Sequence, residues 1–231
     1  MRVNAVIVAA GEGKRMGGEI AKPLVAIAGR PLILHTLGRF AASQIRRVIL
    51  VVPQQDRASF ERLVASDPEA SRLNCVVQPG GARRQDSVRQ GLARLDEDCE
   101  IVVIHDGARP LISPALIDSC VEVAVKEGAA VVGVPVRDTI KIVSASGRVE
   151  STPARDSLWE IQTPQAFQVE IIREAHRRAE KDGIEATDDA MLVERLGGSV
   201  VVLQGDRTNL KITTAEDLLI AEALIRERRI R

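Results

Sequence analysis

Aromatic side chains are scarce in this chain of 231 residues. It contains no tyrosine, one tryptophan and three phenylalanines, so aromatic residues make up 2% of the sequence. A binding site in this chain therefore cannot rely on ring stacking to hold a flat ligand such as a base. Backbone contacts must do more of that work.

Neither sign of charge is in excess. Lysine plus arginine number 32 and aspartate plus glutamate number 32, which gives a formal net charge of zero. A general binder of nucleic acid or of membrane surfaces needs a surplus of basic charge, so the balance argues against both classes. A local basic pocket remains compatible with it.

Long apolar runs and paired cysteines are also missing. No run approaches the roughly 20 residues that span a bilayer, and residues 1–10 lack the features of a signal peptide. Cys75, Cys99 and Cys120 are scattered without a CxxC pair. This pattern is typical of free thiols in a reducing compartment, so we expect a cytoplasmic protein without a zinc site.

The remaining composition is that of a protein able to build a core. Hydrophobic residues make up 45% of the chain and charged residues 28%. The length fits one α/β domain over residues 1–231.

Short apolar runs alternate with helical patterns along the chain. Strands are predicted at residues 5–9, 48–52, 75–77, 101–104 and 129–136. Helices are predicted at residues 32–42, 54–65 and 86–95, and from a Ser113-Pro114 start. This alternation predicts an α/β fold with a mostly parallel sheet covered by helices on both faces. Ligands of such sheets bind beyond the carboxyl ends of the strands.

Residues 137–156 break this alternation. Residues 139–143 and 148–151 flank a Ser-Ala-Ser-Gly turn and read as a β-hairpin. A lone hairpin is marginally stable in water. We therefore expect this segment, the β-arm, to pack on another surface such as a second subunit.

A glycine-rich loop follows the first predicted strand, at residues 9–17 (AAGEGKRMG), with Lys22 just beyond it. Backbone amides of such a turn can cradle phosphate oxygens, and Lys14, Arg15 and Lys22 add positive charge. Met16 replaces the third glycine of a dinucleotide fingerprint, and no P-loop ending is present. The alternative is a solvated glycine loop with incidental basic residues.

A second polar segment, residues 105–110 (HDGARP), follows the strand at 101–104. The Asp106 carboxylate could hold Mg²⁺, and Arg109 could make a forked contact with a substrate phosphate. The alternative is an Asp106–Arg109 salt bridge that only stabilises a turn. His105 and His35 are expected to hydrogen-bond backbone, and His176 to lie on a solvated helix.

Three further segments carry weaker signals. Residues 80–88 (GGARRQDSV) form a glycine turn that enters a helix, whose N-terminus attracts anions. An ordinary strand-to-helix turn is as compatible with this pattern. Residues 163–165 and 209–213 are weak alone, and Lys211 by itself resembles a surface lysine.

Together and in this order, these motifs resemble the family of 2-C-methyl-D-erythritol 4-phosphate cytidylyltransferases over nearly the whole chain. The most specific matches lie in residues 9–16, 80–88 and 105–110. The resemblance implies a Rossmann-like nucleotidyltransferase with a protruding β-arm, paired into a homodimer. It implies Mg²⁺-dependent transfer of CMP from CTP to 2-C-methyl-D-erythritol 4-phosphate, with release of pyrophosphate, in non-mevalonate isoprenoid synthesis.

The resemblance also implies roles for individual residues. Those matching nucleotide-binding positions are Ala9, Ala10, Gly11, Gly13, Arg15, Lys22, Gly81, Arg84 and Ser87. Those matching acceptor- or phosphate-binding positions are Asp106, Arg109, Thr139, Arg155, Thr163 and Lys211. Asp106 matches the metal-associated carboxylate, and Arg15, Lys22 and Lys211 match the catalytic cations. Thr139 and Arg155, in or beside the β-arm, are expected to reach the partner's site.

Two departures from the family pattern leave other hypotheses open. Lys22 lies in Ala-Lys-Pro where relatives usually carry Pro-Lys-Gln, and Ala82 replaces an often acidic residue. D-ribitol 5-phosphate is the alternative acceptor, and a guanylyl- or uridylyltransferase is a more distant alternative. A non-catalytic nucleotide-binding protein is the alternative from another class, although the joint presence of Arg15, Lys22, Asp106 and Lys211 disfavours it.

Overall fold

The computed structural model describes residues 1–11 and 22–227, with Lys22 described by its backbone alone. The strands are β1 (Val3–Val8), β2 (Ala26–Ile27), β3 (Arg30–Pro31), β4 (Arg47–Val52), β5 (Asn74–Pro79), β6 (Ile101–Asp106), β7 (Ala129–Pro135), β8 (Ile142–Val143), β9 (Val149–Ser151), β10 (Trp159–Gln168) and β11 (Val201–Gln204). The α-helices are α1 (Leu32–Ala41), α2 (Arg57–Ser66), α3 (Arg84–Leu92), α4 (Pro114–Glu127), α5 (Val169–Lys181), α6 (Asp189–Arg195) and α7 (Ala215–Arg226).

A seven-stranded sheet forms the centre of the fold, in the order β11-β7-β10-β6-β1-β4-β5. Strand β10 runs antiparallel to β6 and β7, and the other neighbouring strands are parallel. The predicted α/β fold with a mostly parallel sheet is confirmed.

Alternate residues of the central strands enter two cores, one on each face of the sheet. Ala5 and Ile7 of β1 pack in the core that contains Phe40 of α1. Val6, between them, packs in the core that contains Val88 of α3. All five side chains are fully buried. Because side chains alternate along a strand, a strand covered on both faces is apolar at nearly every position, which explains the almost continuous apolar runs.

The predicted elements exist, but their bounds shift. Strand β6 continues two residues beyond the predicted end, so His105 and Asp106 are its last residues and do not follow it. The predicted helix at 54–65 divides into a 3₁₀ turn, Gln54–Asp56, and α2. The predicted start of α4 is confirmed: Pro114 is its first residue, and the Ser113 hydroxyl accepts a hydrogen bond from the Leu116 amide at 3.2 Å.

The predicted β-arm hairpin is present, with shorter strands than expected. Strands β8 and β9 pair antiparallel, and Gly147 in their turn has φ 79°, a left-handed conformation that glycine adopts without steric cost. Ile142, Val143 and Val149 are 49–59% exposed. The arm therefore presents apolar side chains to solvent.

Apart from the helix expected around His176, the chain after residue 156 forms elements that the patterns did not predict. Strand β10 enters the sheet between β6 and β7, and α5 and α6 pack on each other. Strands β2 and β3 form a separate two-stranded pair. Within residues 1–11 and 22–227, no helix is long and apolar enough to cross a bilayer.

Candidate active site

Four chain segments meet at one edge of the sheet, where β1, β4, β6 and β11 end. Main-chain hydrogen bonds connect them. The Ala9 amide, after β1, donates to the carbonyl oxygen of Val51 in β4 at 2.7 Å, and the Gly107 amide, after β6, donates to that of Val8 in β1 at 2.8 Å. The Ile212 amide donates to Ala108 at 2.9 Å. This last bond brings the loop after β11 against the end of β6, at the edge where ligands of parallel sheets bind.

The Asp106 carboxylate is the centre of this edge. It accepts a hydrogen bond from Arg84 Nε at 3.1 Å, and Lys211 Nζ lies 2.8 Å from its Oδ2. Arg109 Nε lies 3.8 Å from the same oxygen. Burial alone would raise the pKa of the Asp106 carboxyl, but the charges of Arg84 and Lys211 lower it well below its usual range. Asp106 is therefore ionised throughout the neutral range, and its partner cations come from three different segments.

Arg84, the first residue of α3, bridges two carboxylates. Besides Asp106, its Nη1 donates to Oδ2 of Asp189 at 2.7 Å. Burial lowers the pKa of this guanidinium, but Asp189 and Asp106 more than offset that effect and raise it. The side chain of Arg84 is still 28% exposed, whereas that of Asp189 is 1% exposed. Arg84 thus connects a buried carboxylate to the open edge of the sheet.

The three histidines test three predictions. His35 Nε2 lies 2.9 Å from the carbonyl oxygen of Ile27, and His105 Nε2 lies 3.1 Å from that of Arg109, so both predicted backbone contacts are confirmed. The prediction of a solvated His176 is wrong. Its side chain is 2% exposed, and its Nε2 lies 3.0 Å from Oδ1 of Asp189. Helix α6 packs on α5 and covers the face that carries this residue.

Thr163 links β10 to the end of β6. The Asp106 amide donates to Thr163 Oγ1 at 3.0 Å, and this hydroxyl lies 3.1 Å from Nδ1 of His105. Since the Arg109 carbonyl can only accept, the proton of the neutral His105 ring is on Nε2, and Nδ1 accepts from Thr163. Burial lowers the pKa of His105 to about 4, in agreement with a neutral ring. The hydrogen-bond chain fixes the backbone that carries the Asp106 carboxylate.

Arg109 and Asn209 fasten the loop that carries Lys211. Arg109 Nη1 donates to the carbonyl oxygen of Asn209 at 2.7 Å. The buried Asn209 amide group donates to Gln162 Oε1 and to the carbonyl oxygen of Thr163, each at 2.9 Å. These bonds hold the loop after β11 against β10, two residues before Lys211.

The glycine turn after β5 brings two predicted nucleotide-binding residues together. A Cβ atom on Gly80 would lie 2.5 Å from Cβ of Ala10 and 2.8 Å from Oγ of Ser87, so only glycine fits. Ser87 Oγ accepts from the Gly81 amide and donates to the Arg83 carbonyl, each at 3.1 Å. The turn therefore lies directly beside the end of β1.

Of the remaining predicted site residues, some are not described and two lie in the β-arm region. Gly13 and Arg15 are outside the described residues, as is the side chain of Lys22. Thr139 is exposed before β8, and Arg155 begins a 3₁₀ turn after β9. Arg155 Nη1 donates to the carbonyl oxygen of Arg137 at 2.9 Å, within the β-arm region. In the part of the chain that the structure describes, no hydrogen bond or ion pair joins either residue to Asp106.

Sequence reasoning assigned no site role to Asp189, His176 or Asn209. The Asp188-Asp189 pair at the start of α6 was a possible signal, because acidic residues are common at helix N-termini. Nothing in the spacing of His176 indicated its partner, because its helix was expected to be solvated and α6 had not been predicted.

The charges of this edge suit phosphate groups. Arg84, Arg109 and Lys211 all lie within 4 Å of Asp106, and Arg84 also contacts Asp189, so three cations face two carboxylates. The excess positive charge and the neighbouring glycine turn favour binding of a polyphosphate. In chemical terms the edge can bind anions and stabilise negative charge that develops during phosphoryl-type transfer.

Comparisons with known proteins agree with this arrangement. Residues 3–227 match the family model described as 2-C-methyl-D-erythritol 4-phosphate cytidylyltransferase. The protein of that description from Bacillus pumilus is 47% identical over 227 residues, covering 97% of each chain. That from Pelotomaculum thermopropionicum is 45% identical, covering 98% of this chain and 95% of the relative.

Two solved structures share the fold. The 2-C-methyl-D-erythritol 4-phosphate cytidylyltransferase of Thermus thermophilus is 35% identical with a TM-score of 0.79, covering 98% of this chain and 100% of that one. The 4-diphosphocytidyl-2C-methyl-D-erythritol synthase of Anaerococcus prevotii is 30% identical with a TM-score of 0.86, covering 97% and 98%.

Proposed function

The chain belongs to the 2-C-methyl-D-erythritol 4-phosphate cytidylyltransferase family, and we infer that it transfers CMP from CTP to 2-C-methyl-D-erythritol 4-phosphate. The products are 4-diphosphocytidyl-2-C-methyl-D-erythritol and pyrophosphate, in the non-mevalonate route to isoprenoids. The observation that carries this conclusion is the family match over residues 3–227. The cationic edge around Asp106 supports it.

The transfer has a simple atom balance. An anionic oxygen of the acceptor phosphate attacks the α-phosphorus of CTP and forms a new P–O bond. The bond from the α-phosphorus to the oxygen that bridges to the β-phosphate breaks, and pyrophosphate leaves with that electron pair. Because the attacking phosphate is already ionised at neutral pH, the protein supplies no strong general base. Its tasks are to bring anions together and to stabilise charge on the phosphoryl oxygens.

Lys211, Arg109 and Arg84 supply the described cations for these tasks. Lys211 is 42% exposed while Asp106 beside it is 10% exposed, so the lysine forms the open side of the cluster. An entering phosphate can therefore contact Lys211 without disturbing the buried carboxylate. Arg109 is held by the Asn209 carbonyl, and its Nε lies 3.8 Å from the Asp106 carboxylate. These observations support the assignment of Lys211 as a catalytic cation and of Arg109 as a phosphate-binding residue.

The nucleotide is assigned to the adjoining edge. Ala10, just after β1, lies beside Gly80 and Ser87. Ser87 Oγ accepts from the Gly81 amide, so the turn that leads into Arg84 adjoins the end of β1. With aromatics at 2% of the chain, contacts of this kind must replace ring stacking. The remaining nucleotide assignments are Ala9, Gly11, Gly13, Arg15 and Lys22, of which the last two are also catalytic cations in this proposal.

Mg²⁺ is proposed as the metal, with Asp106 as the protein's carboxylate for it. Within the described ranges, no group of three or more histidine, cysteine, aspartate or glutamate side chains is arranged to hold a metal. A single carboxylate fits Mg²⁺ when substrate phosphates and water provide the other oxygen ligands. Bound there, the metal would supply additional neutralisation of phosphate charge.

A homodimer joined by the β-arm is also proposed, in the cytoplasm. The exposed apolar side chains of β8 and β9 need a covering surface, and a second copy of the chain would provide one. In that arrangement Thr139 and Arg155 would contact the acceptor bound in the partner's site, and Thr163 would contact the acceptor within its own chain.

The activity is tested by pyrophosphate release with Mg²⁺. CTP is combined with 2-C-methyl-D-erythritol 4-phosphate or with D-ribitol 5-phosphate, and each acceptor is repeated with ATP, GTP and UTP. We expect the highest kcat/KM with CTP and the methylerythritol phosphate. A higher value for ribitol phosphate would overturn the acceptor assignment, and absence of release in every pairing would overturn the enzyme assignment.

The shared site is tested by subunit mixing. Arg155→Ala and Lys211→Ala chains are each inactive if both residues serve the reaction. If Arg155 acts in the partner's site, a mixed dimer has one intact site, so random reassembly restores about a quarter of wild-type activity. A matched control mixes Lys211→Ala chains with Asp106→Asn chains. Because both residues belong to the cluster of their own chain, these two variants should not restore each other's activity. Recovery in the control, or none in the test pair, would overturn the shared site.

A further inference from the structure

Arg84 is held by two carboxylates of different character. Asp106, which holds its Nε, belongs to the cluster that faces substrate, whereas Asp189, which holds its Nη1, is 1% exposed. An arginine has several rotatable bonds, and ordering them costs free energy that a fixed partner can offset in advance. Asp189 is placed to act through Arg84, since it is too deeply buried to contact a substrate itself.

Asp189 is in turn held from both sides. It is the first residue of α6, which begins beside β10: Gln165 Nε2 donates to Asp188 at 2.8 Å, and the Ala190 amide donates to Gln165 at 3.2 Å. On its other side, His176 Nε2 lies 3.0 Å from Oδ1. A carboxylate only accepts, so the histidine donates. Its other nitrogen, Nδ1, is buried without a hydrogen-bond partner among the described residues.

We propose that Asp189 and His176 are positioning residues for the transfer reaction, which hold the Arg84 guanidinium where it binds the nucleotide's phosphates. This inference rests on the proposed nucleotide-binding role of Arg84. It adds a buried His–Asp–Arg chain that runs from α5 through α6 to α3 and ends at the open edge. The chain sets the direction of the guanidinium, in the way that outer partners orient the residues that touch a ligand.

The first test replaces Asp189 by asparagine, which keeps the size and removes the charge. Loss of a charge-assisted hydrogen bond to Arg84 should raise KM and Kd for CTP by roughly 10- to 100-fold. The KM for methylerythritol phosphate should change far less. Asp188→Asn is the matched control, because asparagine also caps helices and Asp188 does not contact Arg84. It should leave both KM values near wild type.

The second test separates positioning from folding. His176→Gln can keep an N–H donor toward Asp189, whereas His176→Leu removes it. We expect the glutamine variant to bind CTP nearly normally and the leucine variant to resemble Asp189→Asn. Thermal unfolding reports stability in parallel. If both His176 variants lower Tm and neither changes the CTP affinity of the folded protein, the residue is structural only and the proposal is wrong.

The third test is a double-mutant cycle with Arg84→Ala. If Asp189 acts only through Arg84, then Asp189→Asn adds no further loss of CTP affinity in the Arg84→Ala background. Additive losses would overturn the positioning role. If Arg84→Ala itself leaves CTP binding unchanged, the assignment of Arg84 to the nucleotide fails instead, so the two failures are distinguishable.

Discussion

Lys211 Nζ lies 2.8 Å from Oδ2 of Asp106, and this contact joins the loop after β11 to the end of β6. The two partners differ in exposure: the lysine side chain is 42% exposed and the carboxylate 10%. The pair therefore has a buried anionic side and an open cationic side. A phosphate that approaches the edge meets the lysine, whose position is already set by the aspartate.

Replacing Lys211 by alanine should lower kcat for pyrophosphate release by roughly 10²- to 10³-fold, because a cation aimed at developing charge is lost. Arginine at this position should recover part of the rate, since it keeps the charge with a different shape. Steady-state kinetics with CTP and methylerythritol phosphate measures both variants. Turnover within about threefold of wild type in Lys211→Ala would contradict the catalytic assignment.

Asp106→Asn should lower the stability of the protein as well as its turnover. The amide leaves Arg84, Arg109 and Lys211 without their shared carboxylate, and breaking a buried ion pair by removing one partner is strongly destabilising. We expect at least a roughly hundredfold fall in kcat and a lower Tm. Titration with Mg²⁺ tests the metal assignment: the half-saturating concentration should rise. An unchanged Mg²⁺ dependence would contradict a metal-binding role for Asp106.

The parts of the fold that could be predicted are those where local pattern and final environment agree. Strand β6 is buried at every position on both faces, so its apolar run is visible without any tertiary information. Strand β10 is the opposite case. It contains Pro164 and the polar residues Gln162, Thr163 and Gln165, and a proline within a run argues against a central strand. Those polar side chains are buried because partners distant in sequence, such as Asn209 and Asp188, hydrogen-bond to them.

The residues of the candidate site also fall into two groups, those that local sequence marks and those that only tertiary packing reveals. Asp106 and Arg84 lie next to glycine turns at strand or helix ends, so local sequence marks them as unusual. Lys211 looks like any surface lysine until the loop after β11 is docked by Asn209. His176 and Asp189 could not be paired from sequence, because their contact requires the packing of α6 on α5.

Two glycines should respond differently to alanine. A Cβ on Gly11 meets no heavy atom within 4 Å in the described structure, whereas a Cβ on Gly80 would lie 2.5 Å from Ala10. Gly11→Ala should therefore keep the wild-type Tm but raise KM for CTP, because the methyl group occupies space assigned to the nucleotide. Gly80→Ala should lower stability by about 1–3 kcal/mol through overpacking.

Differential scanning fluorimetry and CTP titration measure these two effects. A Gly11→Ala protein with normal Tm and normal CTP affinity would remove Gly11 from the nucleotide site. A Gly80→Ala protein with unchanged Tm would show that Ala10 and Ser87 can move apart without cost.

The buried His105 should make stability depend on pH in mildly acidic solution. Its folded-state pKa is lowered from 6.5 to about 4, so below pH 6.5 the unfolded chain takes up a proton that the folded chain does not. The contribution of His105 to the free energy of unfolding is therefore fully present above pH 6.5. It falls by about 3 kcal/mol as the pH drops toward 4. His105→Asn keeps an acceptor for the Thr163 hydroxyl and cannot titrate. Urea unfolding between pH 7 and 4 should show a shallower decline in this variant, and a decline as steep as in wild type would assign the effect to other groups.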